Sequence, residues 1–350
     1  MGLLSRYSVV LWTLAFLAAG ELALEVRASG RGFRTLLFGA PAASAPASDG
    51  ALGRTPDFPF RSRVAPLERT PGVPRVWIAS ASYAEHIRLP AEQIWPVLVE
   101  DELEARGVEV EVLNASQAGW EMHYSVRTLD ELGEAWDPDV VLVYQLSNDL
   151  DRVASALIGR PLAEGAGEEQ VAEPAPPPSD LDPTELARRT SAYELTRARL
   201  GPLVSDLRPR YNGGRADLDG AAAARIEGRF RGVIERAREL GAAPMLVSFA
   251  TAHPDPGEDL PAEIAAGLKR ANGLLSSEGW RRWVRLGDES MRRVAAAEGV
   301  PVLEVAEVLD GRSELFVDQY HFTPEGHRLF AARLADELEP RLRALEEAAR

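Results

Sequence analysis

Short apolar segments alternate with segments of helical period between residues 74 and 350. The segment DVVLVYQ is an unbroken apolar run, which is typical of a parallel strand buried on both faces. Four other segments have strand character: RVWIASA, VEVEVLN, PMLVSFA and VPVLEVA. Helical spacing predicts helices over about 90–107, 123–135, 183–200, 217–240, 278–298 and 323–345. This alternation predicts a three-layer α/β/α domain with a five-stranded parallel sheet.

The N-terminus carries an uncharged run, SVVLWTLAFLAAG, over residues 8–20 after Arg6. Such a run fits a cleaved signal peptide, or an uncleaved membrane anchor if Glu21 is tolerated near its end. We predict that residues 1–27 are a membrane anchor or signal segment, with the anchor favoured. The main domain is then expected outside the cytoplasm and attached to the membrane, with a secreted or periplasmic protein as the alternative.

Two further segments have the composition of connections. Residues 28–73 are rich in Gly, Ala, Ser and Pro, as in APAASAPASDG, and predict a flexible linker before a domain over 74–350. Within that domain, residues 164–180 read EGAGEEQVAEPAPPPSD and predict a low-complexity insert loop.

Composition excludes several classes of function. The formal charge of −15 argues against nucleic acid as a partner, because phosphate binding needs a basic surface. The absence of cysteine excludes thiol nucleophiles, disulfides and cysteine-ligated metals. The sequence leaves the oligomeric state open.

Polar residues follow each predicted strand, and ligands bind at the carboxyl ends of strands in open α/β sheets. In chain order these residues are Ser80 and Ser82; Asn114 and Gly119; Asn148 and Asp149; His253; and Asp318, His321 and His327. A hydroxyl, an amide, a carboxylate and an imidazole at one edge are the parts of a serine esterase. Each is an ordinary turn, cap or ion-pair residue when taken alone. A metal site at Asp318, His321 and His327 is disfavoured, because no fourth ligand is spaced near them.

Four short motifs resemble those of the SGNH, or GDSL-type, hydrolases. Their places are taken by Ser80-Ala81-Ser82, by Gly119 in NASQAG, by Leu146-Ser147-Asn148-Asp149 and by Asp318-Gln319-Tyr320-His321. The similarity covers residues 75–345, apart from the insert and the middle helices. It implies a flavodoxin-like SGNH hydrolase fold.

The resemblance also implies roles for particular residues. Ser82 would be the nucleophile, His321 its base and Asp318 the residue that orients the base. The backbone N–H groups of Ser82 and Gly119 and the amide of Asn148 would form the oxyanion hole. Candidate pocket residues are Tyr83, Trp120 and His253. No cofactor or metal is implied.

The expected activity is hydrolysis or transfer of an acyl group, such as acetyl, on a cell-envelope or extracellular carbohydrate or lipid. The motifs depart from the usual pattern at Ser80, Ala81, Leu146 and Phe322. These departures motivate an alternative, a catalytically weak module that binds glycans or partners during envelope assembly. A flavodoxin-like nucleotide binder is disfavoured, because no strand is followed by a glycine-rich phosphate loop.

Overall fold

The computed structural model describes residues 52–55, 57–158, 211–252, 261–262, 264 and 274–348. All of them fall within one compact unit, Pro46–Pro161 and Pro209–Arg350. The predicted leader, the insert loop, the helix over 183–200 and His253 lie outside the described residues. Within the described ranges, no helix is both long enough and apolar enough to cross a membrane.

The predicted five-stranded parallel sheet is confirmed. Its strands are β3 (Arg75–Ala79), β4 (Glu111–Asn114), β5 (Val140–Val143), β6 (Ala243–Val247) and β7 (Val302–Leu303), after a short antiparallel pair, β1 (Leu52–Gly53) and β2 (Ser62–Arg63). The sheet order is β4-β3-β5-β6-β7, with every pair parallel. The first strand of the sheet therefore lies between the second and the third. This is the flavodoxin-like strand order. Proteins with this order bind their ligands where the strand order reverses.

Helices cover both faces of the sheet. They are α1 (Ser82–Glu85), α2 (Trp95–Ala105), α3 (Met122–Trp136), α4 (Ser147–Leu157), α5 (Ala216–Glu239), α6 (Ser277–Glu298) and α7 (Pro324–Ala348). Helix α2 packs on α7, while α5 packs on α3, α4 and α6, so the helices form two separate layers. The sequence pattern predicted all of these helices except α1 and α4, both of which begin directly after a strand.

Residues 52–73, which the sequence analysis assigns to the linker, pack on the domain. Phe58 and Phe60 are buried, and the ring of Phe58 contacts both Trp77 and Trp136 edge-on. Ser62 accepts a hydrogen bond from the backbone N–H of Asn114 and donates to a carbonyl of β4. This segment therefore adds buried apolar area to the core of the domain, which the sequence analysis predicted to start at Pro74. The domain boundaries as a whole stay a prediction.

Candidate active site

Three of the predicted site residues meet at the carboxyl edge of the sheet. Ser82 is the first residue of α1, directly after β3. The Nε2 atom of His321 lies 2.7 Å from the hydroxyl oxygen of Ser82. The Nδ1 atom of the same ring lies 2.7 Å from Oδ2 of Asp318. A carboxylate, an imidazole and a hydroxyl therefore form one hydrogen-bonded chain, which is the geometry that a serine nucleophile and its base require.

The carboxylate of Asp318 is held by more than the ring. Its Oδ1 atom accepts hydrogen bonds from the backbone N–H groups of Tyr320 (3.1 Å) and His321 (2.9 Å). Burial alone would raise the pKa of Asp318, but the hydrogen bond and charge of His321 and these two N–H groups lower the pKa below its usual value. The carboxylate therefore stays ionised and accepts the Nδ1 proton, which leaves Nε2 free to accept the proton of Ser82.

The loop that carries Asp318 and His321 closes on itself. The backbone N–H of Val317 donates to the carbonyl of His321 at 2.8 Å, and Phe316 forms an antiparallel bridge with Phe322. Phe322, which replaces the proline of the usual motif, is fully buried. This departure from the motif therefore anchors the loop in the core and removes no catalytic atom.

Ser80, the other serine of the motif Ser80-Ala81-Ser82, has a structural role. Ser80 is fully buried, and its hydroxyl donates to the carbonyl of Tyr144 at 2.5 Å. Its hydroxyl therefore links the ends of β3 and β5, and the structure pairs Ser82, not Ser80, with His321.

Of the predicted oxyanion residues other than Ser82, Gly119 lies in the turn between β4 and α3, and Asn148 lies in the first turn of α4. Gly119 has φ of 81°, which is in the left-handed region that glycine adopts without strain. One N–H of the Asn148 amide donates to the carbonyl of Trp120 at 2.7 Å. An amide carries two such donors, so the second remains for a substrate oxygen. Ala118, the neighbour of Gly119, lines the same cavity as Ser82.

A cavity of about 190 Å³ opens at Ser82. Its lining includes the three hydrogen-bonded residues Ser82, His321 and Asp318. The other lining residues are His86, Ile87, Arg88, Ala118 and Val317. Ile87 is 67% exposed and Val317 is 51% exposed, and only one other large apolar side chain of the described residues is classed as exposed. The mouth of the cavity therefore includes two exposed apolar side chains beside the exposed Arg88. The sequence analysis did not predict these apolar side chains, although Ile87 lies only five residues after Ser82.

Two of the candidate pocket residues do not line this cavity. Tyr83 is fully buried, and its ring packs edge-on against those of Tyr144 and Phe249. Because Tyr83 follows Ser82 within α1, it points into the core while Ser82 faces the cavity. Trp120 is partly buried and stacks on Tyr124. His253 lies outside the described residues.

Two further imidazoles stand behind His321. The ring of His86 lies 5.8 Å from that of His321 and 4.9 Å from that of His327, measured between centroids. The Nδ1 atom of His327 accepts the backbone N–H of Trp95 at the start of α2, which requires a neutral ring. Burial, with the neighbouring imidazoles, lowers the pKa of His327 well below its usual value. The described residues contain no cluster of His, Asp or Glu that could hold a metal ion.

His86 makes the stability of the fold depend on pH. Burial, followed by the charge of His321, lowers its pKa to about 4, against ~6.5 in an unfolded chain. Between these values the unfolded state binds a proton that the folded state does not. The free energy of unfolding therefore falls as pH drops through this window, by up to about 1.4 kcal/mol per pH unit from this ring.

We predict that His86→Asn reduces this slope. Asparagine tolerates the positive φ of 32° at this position. Urea unfolding of the wild type and the variant at several pH values between 4 and 7 measures the difference. Equal slopes in the two proteins would show that folding does not lower the pKa of His86.

Asn148→Ala is expected to lower kcat by about 10²- to 10³-fold, because a donor to the developing oxyanion is lost. Assay of a short acyl ester measures it. Gln145 provides a matched control, since its amide donates to the same Trp120 carbonyl at 2.8 Å. If Gln145→Leu costs as much activity as Asn148→Ala, the amide of Asn148 only anchors the loop.

The order of the sheet and the Ser-His-Asp chain at its carboxyl edge match the arrangement implied by the SGNH-type motifs. No protein-family model matches the chain, and no curated protein matches it. Among solved structures it is similar to an acetyl xylan esterase, with 13% identity over 75% of this chain and 98% of that chain and a TM-score of 0.44. It is also similar to a lipase/acylhydrolase from Enterococcus faecalis, with 15% identity over 77% and 97% of the two chains and a TM-score of 0.45.

A third similar structure is a GDSL-like lipase from Bacteroides thetaiotaomicron, with 12% identity over 77% and 88% of the two chains and a TM-score of 0.39. At these identities the likeness is one of fold, and it extends over about three quarters of the chain.

Proposed function

We propose that this protein is a serine esterase of SGNH type, which hydrolyses or transfers an acyl group. One observation carries the proposal: Ser82, His321 and Asp318 are joined by two hydrogen bonds of 2.7 Å beside an open cavity. A buried ion pair that only stabilises the fold would explain the contact between Asp318 and His321. It would not explain why the hydroxyl of Ser82 is hydrogen-bonded to Nε2 of His321 and also lines the cavity.

The chemistry follows from the positions of the atoms. The hydroxyl oxygen of Ser82 attacks the ester carbonyl while its proton passes to Nε2 of His321. Asp318 stabilises the imidazolium that forms. The carbonyl oxygen becomes an oxyanion, for which the N–H groups of Ser82 and Gly119 and the amide of Asn148 are the donors.

Collapse of the tetrahedral intermediate completes this first half of the reaction. The C–O bond to the alcohol breaks, the imidazolium gives its proton to the departing alcohol, and the acyl group stays on Ser82. Water or the hydroxyl of an acceptor, activated by the same imidazole, then releases the acyl group. The same site therefore performs hydrolysis or transfer, and the choice depends on which hydroxyl reaches the acyl-enzyme.

The size of the cavity supports a short acyl group. A volume of about 190 Å³ with Ile87, Ala118 and Val317 in its walls offers apolar contact to a chain of a few carbons. We propose acetyl or a similarly short acyl group, carried by a cell-envelope or extracellular carbohydrate or lipid. The apolar run over residues 8–20 supports that location, because a short N-terminal signal or anchor usually serves the export of the domain that follows it.

A chain-length series tests the proposal. The purified full chain is assayed with p-nitrophenyl esters from acetate to octanoate, with and without an oligosaccharide acceptor. We expect saturable turnover that favours the short esters, and acylated acceptor in the products if the enzyme is a transferase. A folded protein that turns over none of these esters would instead favour the glycan- or partner-binding module.

A further inference from the structure

The segment between β4 and α3 that carries Gly119, residues 115–121, is here called the oxyanion loop. Its residues 117–119 are exposed, so packing alone does not fix them. Hydrogen bonds fix the loop instead. At its far end the backbone N–H of Met122 donates to both carboxylate oxygens of Asp149, at 3.1 and 3.2 Å. In its middle the carbonyl of Trp120 accepts from Asn148 at 2.7 Å.

The centre of the loop, at Ala118, is held by a residue outside the resembled motifs. The backbone N–H of Ala118 donates to Oε2 of Glu85 at 2.6 Å. Glu85 is the last residue of α1, whose first residue is Ser82. One helical turn therefore carries the nucleophile at its start and the anchor of the oxyanion loop at its end. Ala118 directly precedes Gly119, so the hydrogen bond to Glu85 constrains the peptide next to the predicted donor.

Glu85 is a buried residue, and both of its carboxylate oxygens have partners. The residue is 3% exposed, and the guanidinium of Arg54 pairs with its other carboxylate oxygen. A carboxylate at this depth needs compensating partners, and a bond from an N–H to an ionised acceptor is about twice as strong as a neutral one. Both oxygens are engaged, so the carboxylate has a fixed orientation.

Two arginines between β1 and β2 complete the support. Arg61 donates to the carbonyls of Glu85 at 2.9 Å and His86 at 2.8 Å, and also to that of Leu89. The carbonyl of Glu85 is at the end of α1, where no helical N–H follows to bind it, and the other two belong to the residues after the helix. Arg54 and Arg61 thus hold the end of the nucleophile's helix from the segment that the sequence analysis assigned to the linker.

We propose that Glu85 is a positioning residue, which sets the distance and orientation of the Gly119 N–H relative to the hydroxyl of Ser82. The inference deepens the proposed esterase function and rests on it. Glu85 touches neither substrate nor the reacting atoms. It acts through the Ala118 peptide, so its loss should affect the transition state more than binding of the substrate.

The test uses three variants of the full chain: Glu85→Ala, Glu85→Gln and Arg54→Ala. Glu85→Ala removes the acceptor, and we expect kcat for p-nitrophenyl acetate to fall about 10- to 100-fold while KM changes less than about twofold. Glu85→Gln keeps an oxygen for the Ala118 N–H, so most of the lost kcat should return. Arg54→Ala leaves that hydrogen bond in place and should cost less than about fivefold.

A second measurement does not depend on turnover. Amide hydrogen exchange of a peptide covering residues 115–121 should quicken in Glu85→Ala and stay near the wild-type rate in Glu85→Gln, because only the first variant frees the Ala118 N–H. A residue that merely supports folding would change exchange across the sheet and lower kcat and stability together.

The outcomes separate the two proposals. A folded wild type without esterase activity rejects the proposed function, and this inference with it. An active wild type whose kcat is unchanged in folded Glu85→Ala rejects the inference alone. So does a folded Glu85→Gln as slow as Glu85→Ala, since the charge and not the Ala118 hydrogen bond would then matter.

Discussion

Replacing Ser82 by alanine is expected to lower kcat for short acyl esters by about 10⁴-fold or more. The variant loses the hydroxyl that lies 2.7 Å from Nε2 of His321, so no acyl-enzyme can form. The oxyanion donors remain and account for the residual rate. Steady-state assay of the purified variant, with melting temperature as the check on folding, measures the loss.

Ser80 supplies the matched control for this variant. It is two residues away, fully buried, and bonded through its hydroxyl to Tyr144. Ser80→Ala should keep kcat within about threefold while the free energy of unfolding falls by about 1 kcal/mol. If Ser80→Ala is the inactive variant and Ser82→Ala is active, the nucleophile has been assigned to the wrong serine.

Asp318→Asn is expected to be the second most damaging change, with a loss in kcat of about 10⁴-fold. The asparagine oxygen can still accept the N–H groups of Tyr320 and His321, so the loop should keep its shape. Its NH₂ group would then face Nδ1 and donate to it. This forces the ring proton onto Nε2, and a protonated Nε2 cannot accept the proton of Ser82.

Comparison of kcat at pH 7 between the wild type and Asp318→Asn measures this effect. Because the fold of the loop survives, the melting temperature should change little and KM should stay within a few-fold. A variant that retains more than about a tenth of the wild-type kcat would mean that His321 finds its tautomer without the carboxylate.

The arrangement of the strands was predictable because each buried strand is a short apolar run between helical segments. The chain order of the motifs then placed Ser82, Asn148 and His321 at one edge, since all five strands point the same way. The sequence predicted that Ser82, His321 and Asp318 form a hydrogen-bonded set. In the structure, Nε2 of His321 lies 2.7 Å from the Ser82 hydroxyl, and Nδ1 lies 2.7 Å from the Asp318 carboxylate. Their catalytic roles stay a prediction until they are measured.

Other features depend on contacts that no local pattern encodes. Glu85 and Ala118 are 33 residues apart in the sequence. The helix that ends at Glu85 has only four residues, which is too short to show a helical pattern in the sequence. His327 meets Trp95 across 232 residues. Only the short segment Phe58-Pro59-Phe60 carried a usable signal, because two aromatic residues are uncommon in a linker of Gly, Ala, Ser and Pro.

Helix α4 shows a different limit. It begins at Ser147, four residues after the last residue of β5, where the motif reads as a loop or a helix cap, and its residue Asp149 is fully buried. Asp149 pairs with Arg229 of α5 and accepts the N–H of Met122. These polar residues therefore form the first turn of a helix, and a distant partner satisfies the charge of Asp149.

The most direct test of the account is covalent labelling of the folded full chain with a fluorophosphonate, followed by mass spectrometry of its peptides. Phosphonylation requires a nucleophilic hydroxyl, a base that removes its proton and donors for the phosphoryl oxygen, which are the three elements of the proposed site. The account predicts one label, on Ser82, and loss of labelling in a folded His321→Ala variant. A folded wild type that stays unlabelled, or that carries the label on Ser80, would contradict it.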